Sequence, residues 1–371
     1  TFTRNSVAYK QNGQRVAAGQ PRFEQGKFDR ALLAEEGTTN SIVDPVFAVA
    51  ASWPTKSLAT FKASGGWAQD TCVTLCEGSS GTGYCYQNQS LSDGQSGVMS
   101  VYVKMSDGSE PVIGTGTNQM RLVFGGSTFS ANKTYIGDGW WRLTTVITGP
   151  RSGHCGVVFY KADNTIYPIF SNIQLEKDKG YVTSFTPSTR SPETLTIPTA
   201  GVLNPQEGTL EGVFEYKATI HNVVPNAWLI AHGTNASSPW QNVLGVKITR
   251  NSWEVWANDN SGSPPIVASW DGALTDGLHR FALRWSQAEV SFWIDGIKRI
   301  IINNPRLPQV QANSLYIGAW IIGNMQINSL IDDLRISSRA RTDEEILAAY
   351  QSGQPLPVDE WTTYKLGFDG D

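Results

Sequence analysis

Acid–base chemistry needs carboxylates that a fold can bring together, and this sequence offers few. Glu211 and Glu215 fall on one face of an apparent strand, but an i,i+4 separation in extended chain is about 13 Å. Asp332 and Asp333 are consecutive, so a regular strand sends them to opposite faces. Asp332 shares the parity of Leu330, Leu334 and Ile336 and is expected to point inward, where a carboxylate needs a partner. Cys72, Cys76, Cys85 and Cys155 have loose C-x3-C and C-x8-C spacings with only His154 nearby, which argues against zinc. Cys72 and Cys76 share a strand face about 13 Å apart and cannot bridge. If Glu77 to Gly83 is a hairpin loop, Cys76 falls roughly opposite Cys85; a contact between them stands beside a reading of four buried thiols. His154 and Cys155 point to opposite faces, which argues against a dyad. No Ser-His-Asp set assembles, and no glycine-rich phosphate loop precedes a helix. Asn258, Asp259 and Asn260 offer oxygens to calcium but lack the bidentate acid of an EF-type loop, so Ca2+ is the cofactor left open.

Tryptophan is the abundant chemical resource, with 13 in the chain. Aromatic faces stack on pyranose rings while amides and acids hydrogen-bond the hydroxyls. In the second half, Trp253 and Trp285 have core parity. Trp256 and Trp293 have the opposite parity, and Trp240 and Trp270 fall near Ser/Pro/Asp-rich loops. Trp240, Trp256, Trp270 and Trp293 are therefore the candidate sugar platforms, with packing as the competing role for each. The same competition holds for Trp53, Trp67, Trp140 and Trp320.

Positioning such residues falls to strands. The 371 residues are 17% charged and include 36 glycines, a balance suited to a β-rich chain with many turns. The length fits two domains. A net charge of -4 leaves no global basic field for nucleic acid or an anionic membrane. No apolar run reaches the roughly 18 residues of a membrane span. Val101 and Val103 alternate in MSVYVK, as do Leu122 and Phe124, and Trp141, Leu143 and Thr145. Ile169, Ser171, Ile173 and Leu175 alternate with Phe170, Asn172, Gln174 and Glu176. Turns are marked at Ser106 to Gly108, Gly125-Gly126, Gly137 to Gly139 and Asp163-Asn164. Later, Leu210, Phe214, Tyr216, Ala218 and Ile220 face one way, as do Leu244, Val246 and Ile248. Phe281, Leu283 and Trp285 form another face, and Val290, Phe292 and Ile294 lead into an Asp295-Gly296 hairpin turn. Thr342 with Glu345 predicts a capped helix, with Ile346, Leu347 and Tyr350 as its apolar side and Gly353 then Pro355 ending it. The sum is all-β: two antiparallel β-sandwiches (jelly rolls) in series, with one short helix near the C-terminus.

Two stretches carry family resemblances. Gln174 to Lys177, Thr183 to Phe185, Pro187 and Thr189-Arg190 resemble a module of phage tail-fibre and prophage virion proteins. In that module the run closes a carbohydrate-binding-module-like sandwich. Thr3 to Ser6 with Ala8-Tyr9, Pro21 to Phe23 and Glu35 to Asn40 resemble the leader before it. Trp293 to Gly296, Leu315 to Gly318 and the IDDLRI strand with its following T-x-E-E-I helix resemble the laminin-G-like, concanavalin A-like lectin/glucanase superfamily. That superfamily implies either a lectin or a glycosidase. Its glucanase branch uses an E-x-D-x-x-E strand that is not found here, and the carboxylates would have to sit about 5 to 5.5 Å apart for a retaining mechanism. The same resemblance implies a structural role for Asp332, accepting hydrogen bonds from loop backbone.

The expected organisation is a strap (1–40), a first sandwich (41–188), a connector (189–204), a second sandwich (205–358) and a last strand or further module (359–371). The resemblances imply a non-enzymatic virion surface appendage binding host-surface polysaccharide, with other virion proteins as partners, a homo-oligomer open, and no nucleic acid or membrane insertion. A purely structural decoration protein and a polysaccharide depolymerase are the rivals. The chain starts at Thr1 without a signal-peptide pattern, consistent with release by host lysis to a virion surface.

Overall fold

A computed structural model describes residues 1–161, 165–224, 226–234, 240–250 and 252–367. The chain is all-β and divides into two compact units, each built around a pair of large antiparallel sheets. One unit comprises Ser6–Ala18 and Thr38–Arg190; the other comprises Thr1–Asn5, Gly19–Gly37 and Ser191–Asp371. The first forty residues thus contribute to both units. The expected Asp163-Asn164 turn lies outside the described residues.

In the Thr38–Arg190 unit, a six-stranded sheet runs in the order Asn132–Gly137, Trp140–Thr148, Ser96–Met105, Pro168–Lys177, Cys72–Leu75, Ala59–Lys62. Facing it is a five-stranded sheet ordered Ser127–Phe129, Gln119–Phe124, Arg151–Lys161, Gly81–Leu91, Thr55–Ser57. The alternating apolar positions meet between them: Met99, Val101 and Val103 from one, Leu122, Phe124 and Phe159 from the other, all fully buried. The Pro168–Lys177 strand departs from simple alternation. Asn172 adopts φ 50° at a β-bulge, so Phe170 joins Ile173 and Leu175 in the core while Ser171 does not.

The residues of the first resemblance form a buried polar clasp here. The Glu176 carboxylate accepts from Thr38 Oγ1 (2.8 Å), Thr183 N (3.0 Å) and Thr183 Oγ1 (2.6 Å). Asn40 donates to the Ile173 and Thr186 carbonyls and accepts from Ile42 and Leu175 N–H. A polar side chain in such a place must be fully paired, which ties the 38–40 and 183–190 segments to the strand between them.

Of the two readings left open for the cysteines, the four buried thiols hold: all four are free and no Cys76–Cys85 disulfide forms. Cys76 leaves its strand at φ 62°, so its thiol lies against Gly83 rather than Cys85, which stands opposite Lys56 and Val157. Burial pushes the Cys85 and Cys155 thiols well up, so both stay protonated and inert.

In the other unit a seven-stranded sheet is ordered Phe2–Thr3, Thr194–Pro198, Ser314–Ile317, Asn226–His232, Leu244–Thr249, Trp253–Ala257, Ile266–Trp270. Its partner sheet runs Ile297–Asn303, Glu289–Ile294, Gly277–Trp285, Gly208–Tyr216, Ser329–Ser337, Asp29–Ala34, Phe23–Gly26. Leu210, Phe214, Leu283, Phe292, Val246 and Trp253 fill the space between. The Gly208–Tyr216 strand stops short of the expected Ala218 and Ile220, which belong to a one-turn helix, Ala218–His221. The Asp343–Ser352 helix has the capping box of Thr342 and Glu345 and a left-handed Gly353. It buries only Ile346; Leu347 and Tyr350 remain 39% and 38% exposed.

Asp332 and Asp333 do not alternate across the Ser329–Ser337 strand. Asp333 at φ 50° and a register shift opposite Glu211–Val213 make a bulge there. Ile331 then aligns with Phe214 and Ile336 with Leu210, so the core face is Ile331, Leu334 and Ile336, and both acids turn away from it. The bulge sits where this strand changes edge partner, from Asp29–Ala34 to Thr362–Leu366. Asp332 accepts from the Lys27 and Phe28 N–H groups in the turn before the first, at 3.0 and 3.1 Å. Asp333 accepts from Leu356 N (2.8 Å) and pairs with Lys365 on the second.

Candidate functional site

The second-half tryptophans separate into those the fold covers and those it gathers. Outward positions of the seven-stranded sheet come from the residues between its core positions. Trp228, Lys247 and Glu254 stand in one cross-strand row, with Gly245 and Trp256 in the next. On this face Trp320 stacks on Trp228 (4.2 Å, 30°), Trp228 meets Trp256 edge to face (5.7 Å) and Trp256 meets Trp240 likewise (5.2 Å). Four indoles therefore form one continuous cluster, with Tyr316 packed against it.

Gly245 makes this possible. A Cβ there would come within 2.9 Å of the Trp228 ring and 2.5 Å of the Ile230 carbonyl, so the indole lies flat on bare backbone. Trp256 is fixed from two sides: its Nε1 donates to Glu254 (2.8 Å), and Lys247 Nζ lies 5.2 Å from its ring centroid. Lys247 and Glu254 also pair with each other at 3.3 Å. Trp228 and Trp320 are buried, whereas Trp240, Trp256, Tyr316, Lys247 and Glu254 are half-buried and reach solvent. Nearby, the loop that holds Trp320 exposes Ile322 and Met325, and its Met325 carbonyl accepts from Trp228 N–H. The result is an aromatic platform with a cation and a carboxylate anchored beside it.

Of the four candidate tryptophans, the structure brings Trp240 and Trp256 together. Trp270 sits on the edge strand directly opposite core Trp253, with Arg299 4.6 Å over one side and Gly272 against its ring. Trp293 lies on the partner sheet, 6% exposed, packed against Ala282 and Ile346, with its Nε1 donating to Ser291. Trp293 is covered, whereas Trp270 is half-buried but is not part of the Trp240/Trp256 cluster. Trp228 escaped the sequence reading because the bulge between Trp228 and Ile230 breaks the alternation in NAWLIAH.

The acids considered for catalysis are engaged elsewhere. Glu211 binds Arg335 and Glu215 pairs with Lys217, while Asp332 and Asp333 hold backbone. Glu254 is an anchored acceptor, not half of an acid–base pair. Asn258 Nδ2 donates to the Trp240 and Ser263 carbonyls, and Asp259 accepts from Ser261 N–H, so both shape the loop under Trp240. Among the described residues no three His, Cys, Asp or Glu side chains converge as metal ligands would.

Residues 221–347, which contain this face, match the laminin-G-type family model of the concanavalin A-like lectin/glucanases superfamily. The chain thus contains a concanavalin A-like lectin-fold domain. Among solved structures it is similar to the binding domain of botulinum neurotoxin DC in complex with rat synaptotagmin II (11% identity, 44% of this chain and 41% of that chain, TM-score 0.34). It is also similar to the botulinum neurotoxin serotype D binding domain (12%, 42% and 40%, TM-score 0.32). A third is the heptameric SAP-like pentraxin from Limulus polyphemus (12%, 42% and 72%, TM-score 0.30). The match spans less than half the length of the neurotoxin chains. A comparison with curated proteins gave no match.

Proposed function

We propose that this chain is a non-catalytic glycan-binding protein, and that the Trp240/Trp256 face of the seven-stranded sheet is where the sugar docks. The observation that carries this reading is the cluster itself. Two half-exposed indoles are held rigid by Trp228, Trp320 and Gly245, and Lys247 and Glu254 stand ready to hydrogen-bond hydroxyls. Rigid aromatic platforms lose little conformational entropy on binding, and a few fixed polar groups then orient the ligand. The lectin-type domain in which the cluster lies supports the same reading.

The setting we propose is a phage or prophage virion appendage that reaches host-surface polysaccharide, with other virion proteins as assembly partners. The resemblance of the 1–198 segment supports it, and the Glu176 and Asn40 clasp gives the shared residues a structural reason to occur together. Co-sedimentation of the purified chain with host cell-wall and capsular polysaccharides tests the binding. Saturable binding that Trp256→Ala weakens tenfold or more is expected; no binding to any glycan would favour a structural role. Immunogold labelling of intact virions tests the location.

A further inference from the structure

We infer that the outer face of the five-stranded sheet in the Thr38–Arg190 unit is a second glycan-binding surface, selective for carboxylate-bearing polysaccharide. It does not depend on the tryptophan face, which belongs to the other unit.

The chain holds 33 Asp and Glu residues, yet none falls in the five strands of this sheet. With Met120, Leu122, Cys85, Cys155 and Val157 pointing into the core, the residues between them must point out. Tyr84, Tyr86 and His154 form a ladder on that outward side. The two tyrosine rings stack at 4.9 Å and 6°, and Tyr86 and His154 at 5.1 Å and 18°. The tyrosines are half-buried and His154 is exposed. Across the neighbouring strand, Val158 stands between Tyr84 and Arg121, and Gly156 stands between Tyr86 and Val123. Glycine and valine are short beside tyrosine and arginine, and Val158 is buried, so the longer side chains lie over that strand, with the ladder on one side and Arg121 on the other. Lys56 and Arg151, the neighbouring cations, are turned to other partners: the Ala50 and Trp53 carbonyls for one, the Thr148 carbonyl and Ser127 for the other.

The chemistry of this face selects its occupant. Sugar C–H faces pack on aromatic rings, and phenols hydrogen-bond hydroxyls. Burial, together with neighbouring Tyr160 and Tyr84, pushes the Tyr86 phenol up, so it remains a donor. The Arg121 guanidinium is a planar fork that fits a carboxylate bidentately. A sheet without acids spares an acidic polymer the repulsion expected from a chain of net charge -4. One guanidinium beside a line of rings suits one carboxylate per sugar repeat rather than the dense charge of a phosphodiester polymer.

The test uses isothermal titration of the full chain with polygalacturonate, alginate and hyaluronan, and with methyl-esterified polygalacturonate as the uncharged control. Binding to at least one carboxylated polymer is expected. Esterification or Arg121→Gln should each weaken it about tenfold, the size of a lost charge-assisted hydrogen bond. Arg121→Lys, which keeps the charge but not the fork, should restore it only in part, and Lys56→Gln, which removes a cation turned to backbone carbonyls, should leave it unchanged. Thermal melting confirms that each variant folds. No binding to any of the three polymers, equal binding of the ester, or full binding by Arg121→Gln would overturn the inference. A loss in Lys56→Gln equal to that in Arg121→Gln would also overturn it, by assigning the effect to net charge rather than to the Arg121 fork.

Discussion

Replacing Glu193 with alanine tests whether the N-terminal segment is an integral part of the lectin-type unit. The Glu193 carboxylate accepts from Arg4 Nη1 (2.7 Å), Arg22 Nε (2.8 Å) and Glu35 N (3.0 Å). The side chains of Arg4, Arg22 and Glu193 are all 0% exposed. Burial opposes the Arg22 charge, but Glu193 and Glu35 more than offset it and hold the guanidinium protonated. Removing one partner from a buried ion network leaves a charge that water cannot reach, which costs about 3–5 kcal/mol. Arg22 keeps Glu35 at 2.6 Å, which places the expected loss nearer 3 kcal/mol. For a unit of this size that lowers the melting midpoint by roughly 10 °C. Urea unfolding of Glu193→Ala beside Glu193→Gln measures it, with the amide expected to lose less because it retains shape and one acceptor. A loss under about 1 kcal/mol for the alanine variant would refute the reasoning, showing that these arginines find other partners or water.

Four further outcomes follow. Burial lowers both His221 and His232 to about 4 from 6.5, so the unfolded chain takes up their protons first as pH falls. Their contribution to stability should be full above pH 6.5 and drop as pH goes from 6.5 toward 4, by about 3 kcal/mol for each imidazole; urea midpoints across that range read it, and a flat profile would contradict it. His279 works in the opposite sense, because its hydrogen bond to Asp295 raises it, so its smaller contribution is present below pH 6.5 and lost as pH rises through its folded value. Asp332→Ala should orphan the Lys27 and Phe28 N–H groups and cost about 1–3 kcal/mol, with faster hydrogen exchange across 23–34. Gly245→Ala should displace the Trp228 indole and weaken glycan binding more than it lowers the melting temperature.

Much of the fold was legible because strand parity is local. Phe281, Leu283 and Trp285 are buried as their alternation requires, and the Thr342–Glu345 capping box forms where those two residues stand. Parity failed where an Asx residue in the left-handed region inserts a bulge. Asn172 moved Phe170 into the core, and Asp333 turned both strand acids outward. The pieces of the first forty residues were illegible because strands such as Phe2–Thr3 and Ala8–Tyr9 are two residues long, too short for any period to show. Of the candidate site, Trp240 and Trp256 were readable from parity and loop context. That Trp293 is covered depends on Ile346, more than fifty positions away, and no local pattern carries that information.

The most direct measurement of the central claim is calorimetric titration of host-surface polysaccharide into the full chain, the Trp240→Ala variant and the Trp256→Ala variant. Each mixture is also run by size exclusion to follow polymer length. The account predicts saturable binding by the full chain, at least tenfold weaker binding by both variants at unchanged melting temperature, and a polymer of constant length. Equal binding by all three proteins, or a polymer that shortens with time, would contradict it.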